Sequence, residues 1–451
     1  MFLGPRGLTI PKELLTESEQ QDIKRQLTFS PQTSHGYANE IKFYAYRESP
    51  HKLYVPRFYK ECVPKTISKG APINVTFSGS IRKDQQDAVD AFLNKQCGLL
   101  ELPCGFGKTI VALYLISVLK LKTIVIVHKE FLLEQWMERI REFLPNATIG
   151  RIQGTTIDTN KDIVIGMLQS ISKDKYPKEI FQSFGFTIID ETHHIAADVF
   201  SNALFQIVTP YMLGLSATME RKDGLSKVFK LFLGDIVYSA KREKTLVYIH
   251  KVTFTTTDDE FNEVIKNFKG ETNYTSMIKK LSEYNPRKEC ILHILDILLK
   301  DTTTHQVMIL SHTKALLEYF HDAIEHRNMG SVGYYIGGMK QSALKESETK
   351  KIILATFAMA EEALDIKTLS TLVLATPKTD VIQAVGRILR VKHEKPVVVD
   401  IVDSHPTFIN QWKKRRAYYN SQGYTIVEST HESYPNAQKN KKMGSLLKTR
   451  L

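Results

Sequence analysis

The chain has 451 residues, of which 42% are hydrophobic and 24% are charged, and a usual domain size of ~150 residues predicts about three globular domains. Its 61 Lys and Arg against 49 Asp and Glu give a formal net charge of +12, which favours a polyanionic partner such as nucleic acid. No apolar run approaches the ~20 residues needed to span a bilayer, the first residues lack a signal-peptide pattern, and four cysteines are scattered without any Cys-x-x-Cys pair. We therefore expect a soluble intracellular protein in a reducing compartment, with no membrane partner.

Residues 1–78 precede the first strong motif and mix aromatic with basic side chains. This mixture has two interpretations. Aromatic rings between Lys and Arg can stack on bases while the cations pair with phosphates. Alternatively, residues 42–47 and 52–55 are two strands of a small β unit whose aromatic side chains form its core. We treat residues 1–78 as a β-rich accessory domain and leave its binding of nucleic acid open.

A glycine-rich turn at residues 102–109, Leu-Pro-Cys-Gly-Phe-Gly-Lys-Thr, is the most informative feature of the chain. It lies between a predicted buried strand and a predicted buried helix, a context in which free amides and the helix dipole favour an anion. Lys108 is expected to bind the β- and γ-phosphates and Thr109 to ligate Mg²⁺. The other expected contacts to the phosphates come from the turn itself: Cys104, Gly105, Phe106 and Gly107. The expected ligand is ATP with Mg²⁺, although Leu102 stands where the consensus motif has glycine.

A first α/β domain is predicted over residues 79–236, because apolar strands alternate with helices as in a parallel sheet. Its predicted strands are residues 98–101, 123–127, 162–165, 187–189 and 212–215. The strand before Asp190 and Glu191 delivers both carboxylates to the carboxyl edge of the sheet, where such sheets bind ligands. We assign Asp190 to the metal and Glu191 to the general base that activates water. The alternative is an Asp that caps a helix, followed by a Glu in its first turn.

The rest of the chain divides into three predicted segments. Residues 237–284 are expected to form a connector with a helical insertion, around Phe261 to Phe268. Residues 285–425 are expected to form a second parallel-sheet domain, and residues 426–451 a basic tail. The predicted strands of the second domain are residues 307–311, 351–355, 371–375 and 397–400, and a helix is predicted from Phe408 to Ser421.

Two arginines, Arg387 and Arg390, are spaced one helical turn apart in the run Gln-Ala-Val-Gly-Arg-Ile-Leu-Arg that begins at Gln383. On one helix their side chains would share a face, and a guanidinium fork matches phosphate oxygens better than an ammonium group does. We interpret them as arginine fingers that reach the γ-phosphate when two domains close on the nucleotide. The alternative is a surface helix that carries arginines for solubility.

These motifs resemble, in content and in order, those of superfamily 2 helicases of the DExH type across residues 81–424. They include the P-loop, Asp-Glu-Thr-His at 190–193, Ser-Ala-Thr at 216–218 and the arginine run. The resemblance implies two tandem RecA-like parallel-sheet domains. Its implied roles for further residues are adenine reading by Arg82 and Gln85, coupling by His193, Ser216 and Thr218, ribose contact by Asp365, nucleic-acid contact by Lys129, Gln169 and Thr356, and catalysis by Gln383. Zinc is not expected beside His193, since no further ligands lie at a zinc spacing.

Within that superfamily, the motifs at residues 102–109, 214–224 and 375–377 are similar to those of XPB-like and phage UvsW-like DNA translocases. Residues 3–7 and 54–59 resemble helicases of large cytoplasmic DNA viruses, including the poxvirus transcript-release helicase. The resemblance implies an ATP-dependent DNA helicase or translocase, working with viral transcription or DNA repair proteins in the host cytoplasm or the virion. Two alternatives stay open: a helicase for RNA or RNA–DNA hybrids, and an ATP-gated nucleic-acid clamp that does not unwind.

Overall fold

The computed structural model divides into two compact units, Met1–Arg242 and Glu243–Leu451. The structure describes the following residues: 1–30, 42–60, 66–103, 105–173, 175–192, 197–217, 225–240, 245–362, 366–389, 391 and 393–434. No helix within these ranges is long and apolar enough to cross a membrane.

The first unit begins with small antiparallel sheets and one helix. Their bounds are β1 (Phe2–Gly4), β2 (Gly7–Pro11), a 3-10 helix (Lys12–Leu14), α1 (Glu17–Gln26), β3 (Thr28–Phe29), β4 (Phe43–Tyr44), β5 (Arg47–Glu48) and β6 (Lys52–Val55). A four-stranded sheet has the order β1-β2-β6-β5, and β3 pairs with β4. Leu53 and Val55 are fully buried in a core shared with Phe205 and Phe232 of the following domain. The predicted strand at residues 52–55 is therefore confirmed, whereas the single strand predicted at residues 42–47 is wrong, because this segment contributes to two short strands, β4 and β5, in different sheets.

An eight-stranded sheet forms the centre of the first unit. Its strands are β7 (Cys97–Glu101), β8 (Thr123–Val127), β9 (Ile149–Gln153), β10 (Thr156–Ile157), β11 (Ile163–Met167), β12 (Phe186–Ile189), β13 (Tyr211–Ser216) and β14 (Ile236–Ser239). The order is β10-β9-β11-β8-β12-β13-β7-β14, with only the short β10 antiparallel to its neighbour. The helices are α2 (Lys83–Lys95), α3 (Lys108–Leu119), α4 (Glu130–Phe143), α5 (Leu168–Ile171), a 3-10 helix (Lys178–Phe181), α6 (Ala197–Leu204) and α7 (Ser226–Leu233). The inner strands are buried along their length, as expected for a sheet covered on both faces.

A seven-stranded, fully parallel sheet forms the centre of the second unit. Its strands are β15 (Tyr248–Phe254), β16 (Val307–Ser311), β17 (Val332–Tyr335), β18 (Ile352–Thr356), β19 (Thr371–Leu374), β20 (Val397–Asp403) and β21 (Thr425–Thr430). The order is β17-β18-β16-β19-β20-β15-β21. The helices are α8 (Asp259–Asn262), α9 (Tyr274–Glu283), α10 (Asn285–Leu299), α11 (Lys314–His326), α12 (Gln341–Ser347), α13 (Phe357–Glu362), α14 (Ile382–Arg387) and α15 (Pro406–Ser421).

The predicted α/β class, with two parallel sheets after a small antiparallel one, is confirmed. Three details of the second unit differ from the sequence interpretation. Strand β15, which lies in the predicted connector, pairs with β20 and β21 inside the sheet. Strand β21 itself extends to Thr430, into the predicted basic tail. The helix expected around Phe261 to Phe268 is wrong: α8 ends at Asn262, and the chain next turns at Phe268 to Gly270 before α9 begins. Gly270 has φ +78°, a left-handed conformation that does not continue a right-handed helix.

Candidate active site

The glycine-rich turn joins the carboxyl end of β7 to the amino end of α3, so free helix amides face the end of the turn. Gly107 caps α3 with φ +91°, in the left-handed region that favours glycine. A Cβ added at Gly107 would lie 2.5 Å from the Gln85 Nε2 atom, so a side chain there would collide with its neighbour. Gly105 has φ +83°. The turn thus keeps its backbone bare, as a phosphate cradle requires, while Cys104 lies outside the described residues.

Lys108, the first residue of α3, points at the end of β12, which β13 separates from β7 in the sheet. Its Nζ atom lies 2.8 Å from Glu191 Oε1, and the two side chains are only 13% and 22% exposed. Glu191 has φ +49°, an uncommon left-handed conformation for a residue with a side chain, and such outliers concentrate at functional sites. The ammonium and carboxylate groups therefore meet in a partly buried position at the carboxyl edge of the sheet.

Asp190 directly follows β12 and is 6% exposed. Burial raises the pKa of its carboxyl to about 6, the nearby Glu191 carboxylate adds to the rise, and Lys108 opposes it. The Glu191 backbone N–H donates to Asp190 Oδ1 at 2.9 Å. A buried carboxylate at this edge suits a cation ligand, and the assignment of Asp190 to the metal stays a prediction.

Trp136 is a site residue that the sequence interpretation missed. Its indole Nε1 donates to Asp190 Oδ2 at 2.8 Å, so both Asp190 oxygens have a protein donor. Trp136 lies on α4 with Leu132, Leu133 and Ile140 on one buried face. That helical spacing was a usable signal, because a buried indole N–H usually finds an acceptor.

Gln85 and Arg82 both brace the phosphate turn. Gln85 is 3% exposed, and its Nε2 donates to the Phe106 carbonyl at 2.8 Å. Its Oε1 accepts from the Arg82 backbone N–H at 2.9 Å, and the Arg82 guanidinium donates to the same Phe106 carbonyl at 2.7 Å. These contacts fix the turn from behind, and adenine reading by Gln85 and Arg82 stays a prediction.

Ser216 ends β13, the strand between those that deliver Lys108 and Asp190. It lies in register with Glu101 of β7, and its carbonyl accepts from the Leu102 backbone N–H at 2.8 Å. Ser216 is thus joined to the start of the phosphate turn, as a coupling residue would need to be. His193 and Thr218 lie outside the described residues.

Lys129 and Gln169 occupy equivalent places just beyond the ends of two adjacent strands, β8 and β11. Val127 and Met167 are in register at the ends of β8 and β11, and the two candidates each follow by two residues. Gln169 Nε2 donates to the His128 carbonyl at 2.6 Å and ties the two loops together. The two predicted nucleic-acid contacts therefore lie side by side at the carboxyl edge of the first sheet.

In the second unit, Thr356 ends β18 and Gln383 lies on α14. Arg387 is 7% exposed, and its Nε donates to the Ala360 carbonyl at 2.9 Å. Helix α14 ends at Arg387, and the Leu389 N–H bonds to the Gly386 carbonyl, three residues back, in a turn, so the predicted helix face shared by Arg387 and Arg390 is described only as far as Arg387. Arg390 and Asp365 lie outside the described residues.

The residues of the first unit fit a magnesium nucleotide. Thr109 in the first turn of α3 and the buried Asp190 are oxygen ligands of the kind Mg²⁺ uses together with substrate phosphates. Within the described ranges, no group of three or more His, Cys, Asp and Glu side chains is arranged to hold a metal by itself. A metal here would be shared with the phosphates.

Comparisons with known proteins agree with this geometry. Residues 78–221 match the family described as type III restriction enzyme, res subunit, and residues 287–392 match the helicase conserved C-terminal domain. A protein of Acanthamoeba polyphaga mimivirus, named "Putative ATP-dependent RNA helicase", is 34% identical over 456 residues, covering 95% of this chain and 88% of that protein. The chain belongs to the superfamily 2 helicases of large DNA viruses. A relative in African swine fever virus, also named as an ATP-dependent RNA helicase, is 25% identical, and the match covers 76% of this chain and 73% of that protein.

This helicase also resembles a solved structure. Dbp5 of S. cerevisiae, bound to RNA and ADP BeF3, aligns with a TM-score of 0.57 at 13% identity, covering 80% of this chain and 93% of that one. The likeness confirms the tandem RecA-like fold predicted from the motifs. Membership in the helicase superfamily implies an enzyme that hydrolyses ATP and binds nucleic acid.

Proposed function

We propose that this helicase hydrolyses Mg²⁺-bound ATP at the edge of its first sheet and uses the energy to move along or unwind DNA. The observation that carries the proposal is the 2.8 Å contact between Lys108 and Glu191 beside the buried Asp190. Phosphoryl transfer to water needs a positive charge at the phosphates and a group that orients the water, and it needs no covalent intermediate. A lysine at a phosphate-binding turn and a carboxylate opposite it can meet these two needs.

Each residue has a distinct task in this proposal. The turn amides and Lys108 hold the β- and γ-phosphates, and Lys108 must leave Glu191 to do so. Glu191 then accepts the proton of the attacking water. Asp190 and Thr109 hold Mg²⁺, which neutralises phosphate charge when bound. Arg82 and Gln85 read adenine, and Asp365 contacts the ribose.

The second unit supplies the remaining charges. We propose that Arg387 and Arg390 stabilise the γ-phosphate in the transition state, with Gln383 beside them. This task requires the second unit to approach nucleotide held by the first during turnover. Coupling of the nucleotide state to nucleic-acid binding is assigned to Ser216, Thr218 and His193. The nucleic-acid strand itself is contacted by Lys129, Gln169 and Thr356.

DNA and RNA are the two candidate substrates. The motifs at residues 102–109 and 375–377 are similar to those of DNA translocases, which supports DNA. The mimivirus and African swine fever virus relatives are named as RNA helicases, which supports RNA as the second candidate. A role in viral transcription or DNA repair stays a prediction with either substrate.

The test is steady-state ATPase activity with single-stranded DNA, duplex DNA, forked DNA and RNA at one salt concentration, since salt strongly shifts such affinities. We expect the largest stimulation with DNA, together with strand displacement on the fork. Stimulation by RNA alone would replace DNA with RNA in the proposal. Slow hydrolysis with binding but no displacement would favour the ATP-gated clamp.

A further inference from the structure

Phe268 is the most exposed large hydrophobic side chain in the described part of the chain. It is 94% exposed, and the next most exposed, Leu14, reaches 60%. Phe268 lies in the second unit, at the tip of a turn that we name the 266–272 turn after its paired ends, Lys266 and Thr272. Because the described residues leave almost the whole side chain in water, most of the surface of the ring is available to a partner.

The 266–272 turn is closed by a network centred on Asn267. The Asn267 side-chain oxygen accepts from the backbone N–H groups of Lys269 at 2.9 Å and Glu271 at 3.0 Å. The Asn267 N–H donates to the Glu271 carbonyl at 2.7 Å, and the Gly270 N–H donates to the Asn267 carbonyl at 2.9 Å. Phe268 is therefore presented on a preorganised support, which lowers the entropy cost of binding.

The base of the turn is fixed to α9. The Ile265 N–H donates to the Met277 sulfur at 3.3 Å, and the Asn273 N–H donates to the Ile265 carbonyl at 2.8 Å. Lys280 Nζ donates to the Glu263 carbonyl at 2.9 Å. The turn therefore projects from a helix rather than from a free loop.

The same helix connects the turn to the predicted nucleic-acid contact of its unit. Tyr274, the first residue of α9, donates its hydroxyl to the Pro377 carbonyl at 2.8 Å, and its ring lies 6.2 Å from that of His312. The His312 ring lies 4.8 Å from Phe357, which directly follows Thr356. Tyr274, which begins α9 after the turn, is thus linked through His312 to Phe357, the neighbour of Thr356, at the carboxyl edge of the second sheet.

We propose that Phe268 stacks on an unpaired nucleobase of the strand that this helicase binds. Lys269 Nζ lies 5.6 Å from the centre of the Phe268 ring, and Lys266 precedes Phe268 by two residues. The carboxylate of Glu271 is 3.3 Å from the Asn267 amide, within the turn. Such a pairing of an aromatic face with cations suits a base and its phosphates. The inference rests on the proposed function, because it requires a nucleic-acid strand at the carboxyl edge.

Three substitutions separate stacking from other uses of an apolar tip. Phe268→Ala removes the side chain, Phe268→Leu keeps an apolar side chain without a π face, and Phe268→Trp keeps the π face. The full-length proteins are compared by fluorescence anisotropy for affinity to single-stranded DNA and RNA oligonucleotides at one salt concentration. Quenching of 2-aminopurine in the same oligonucleotides reports base stacking. ATP hydrolysis without nucleic acid serves as the control for folding.

We expect Phe268→Ala and Phe268→Leu to weaken binding about 5- to 150-fold and to lose quenching, as for removal of one base-stacking aromatic. Phe268→Trp is expected to stay close to wild type, and hydrolysis without nucleic acid to be unchanged in all three. Wild-type affinity and quenching in Phe268→Ala would overturn the proposal, as would full affinity in Phe268→Leu, which would indicate an apolar protein pocket as the partner. A wild-type protein that binds neither nucleic acid would instead refute the proposed function, so the two failures are distinguishable.

Discussion

The carboxyl edges of the two parallel sheets both carry ion pairs, but the pairs are built differently. On the first sheet, Lys108 and Glu191 meet at 2.8 Å with side chains 13% and 22% exposed. On the second, Arg287 and Asp403 meet at 2.6 Å with both side chains at 0% exposure. Asp403 receives two guanidinium hydrogen bonds, and Arg287 also donates to the Ala375 carbonyl at 2.7 Å.

A second buried pair repeats the pattern of the second sheet. Arg415 and Asp400 are each 1% exposed, and the Tyr419 hydroxyl donates to the same carboxylate at 3.0 Å. Charges so fully enclosed and hydrogen-bonded cannot exchange partners cheaply. The Lys108–Glu191 pair retains access to water, and in the proposed mechanism a phosphate separates the two groups. Burial and the number of hydrogen-bond partners thus distinguish the two enclosed pairs of the second unit from the accessible pair of the first.

The largest expected effect comes from the accessible pair. Glu191→Gln removes the proposed base while keeping the shape of the side chain, so we expect kcat to fall by about 10²- to 10⁴-fold with ATP binding retained. Lys108→Ala removes the charge that binds the phosphates and is expected to abolish turnover. Both are measured by steady-state hydrolysis and by binding of a fluorescent ATP analogue. Unchanged hydrolysis in Glu191→Gln would show that another group activates water.

The arginines of the second unit sharpen the comparison. We expect Arg390→Ala to lower kcat by about 10³-fold with nearly unchanged nucleotide affinity, because an arginine finger acts mainly in the transition state. Arg387→Ala is the companion variant. Because Arg387 is buried and bonded to the Ala360 carbonyl, its loss is expected to lower the unfolding temperature as well. A wild-type rate in Arg390→Ala would remove its catalytic role.

Much of the fold was predictable because parallel strands that are buried on both faces have continuous runs of apolar residues in the sequence. Residues 123–127 and 307–311 were predicted with the bounds that β8 and β16 have. The helix expected around Phe261 to Phe268 carries no such continuous apolar run, although Phe261, Ile265 and Phe268 have a helical spacing, and the 266–272 turn interrupts it. A period in apolar residues does not reveal which of them the tertiary structure leaves in water.

The site was predictable only where its chemistry is local in sequence. Lys108 and Glu191 were each found through a motif, but their contact joins positions 83 residues apart. The hydrogen bond from Trp136 to Asp190 joins positions 54 residues apart, and no sequence motif predicts it. Such contacts follow from strand order and helix packing, which a single sequence constrains weakly.

The buried pair of the second sheet provides a test of stability rather than chemistry. Arg287→Met leaves the fully buried Asp403 without its partner, so we expect a loss of about 3–5 kcal/mol in the free energy of unfolding. Denaturant unfolding, followed together with hydrolysis at low denaturant, measures it. The matched control is Arg25→Ala, which breaks the exposed pair with Asp22 and is expected to cost less than about 1 kcal/mol.

A double replacement distinguishes an uncompensated charge from lost packing. Arg287→Met combined with Asp403→Leu removes both charges, and it is expected to recover most of the stability lost in the single variant. If the double variant is as unstable as Arg287→Met alone, the cost lies in the shape of the site and not in the stranded carboxylate.

The smallest expected effect tests whether Asp190, the proposed Mg²⁺ ligand, depends on the buried hydrogen bond from Trp136. Trp136→Phe keeps a buried aromatic ring but removes the indole donor to Asp190, a hydrogen bond to a charged group worth about 1.5–3 kcal/mol. With the carboxylate less firmly held, we expect the Mg²⁺ concentration for half-maximal hydrolysis to rise by up to about 10-fold, while kcat at saturating Mg²⁺ changes little. Trp412→Phe alters the other tryptophan, which is buried in the second unit, and should leave the Mg²⁺ dependence unchanged. An identical Mg²⁺ dependence in wild type and Trp136→Phe would mean that the strand alone positions Asp190. The indole hydrogen bond would then have a structural role only, like the enclosed ion pairs of the second unit.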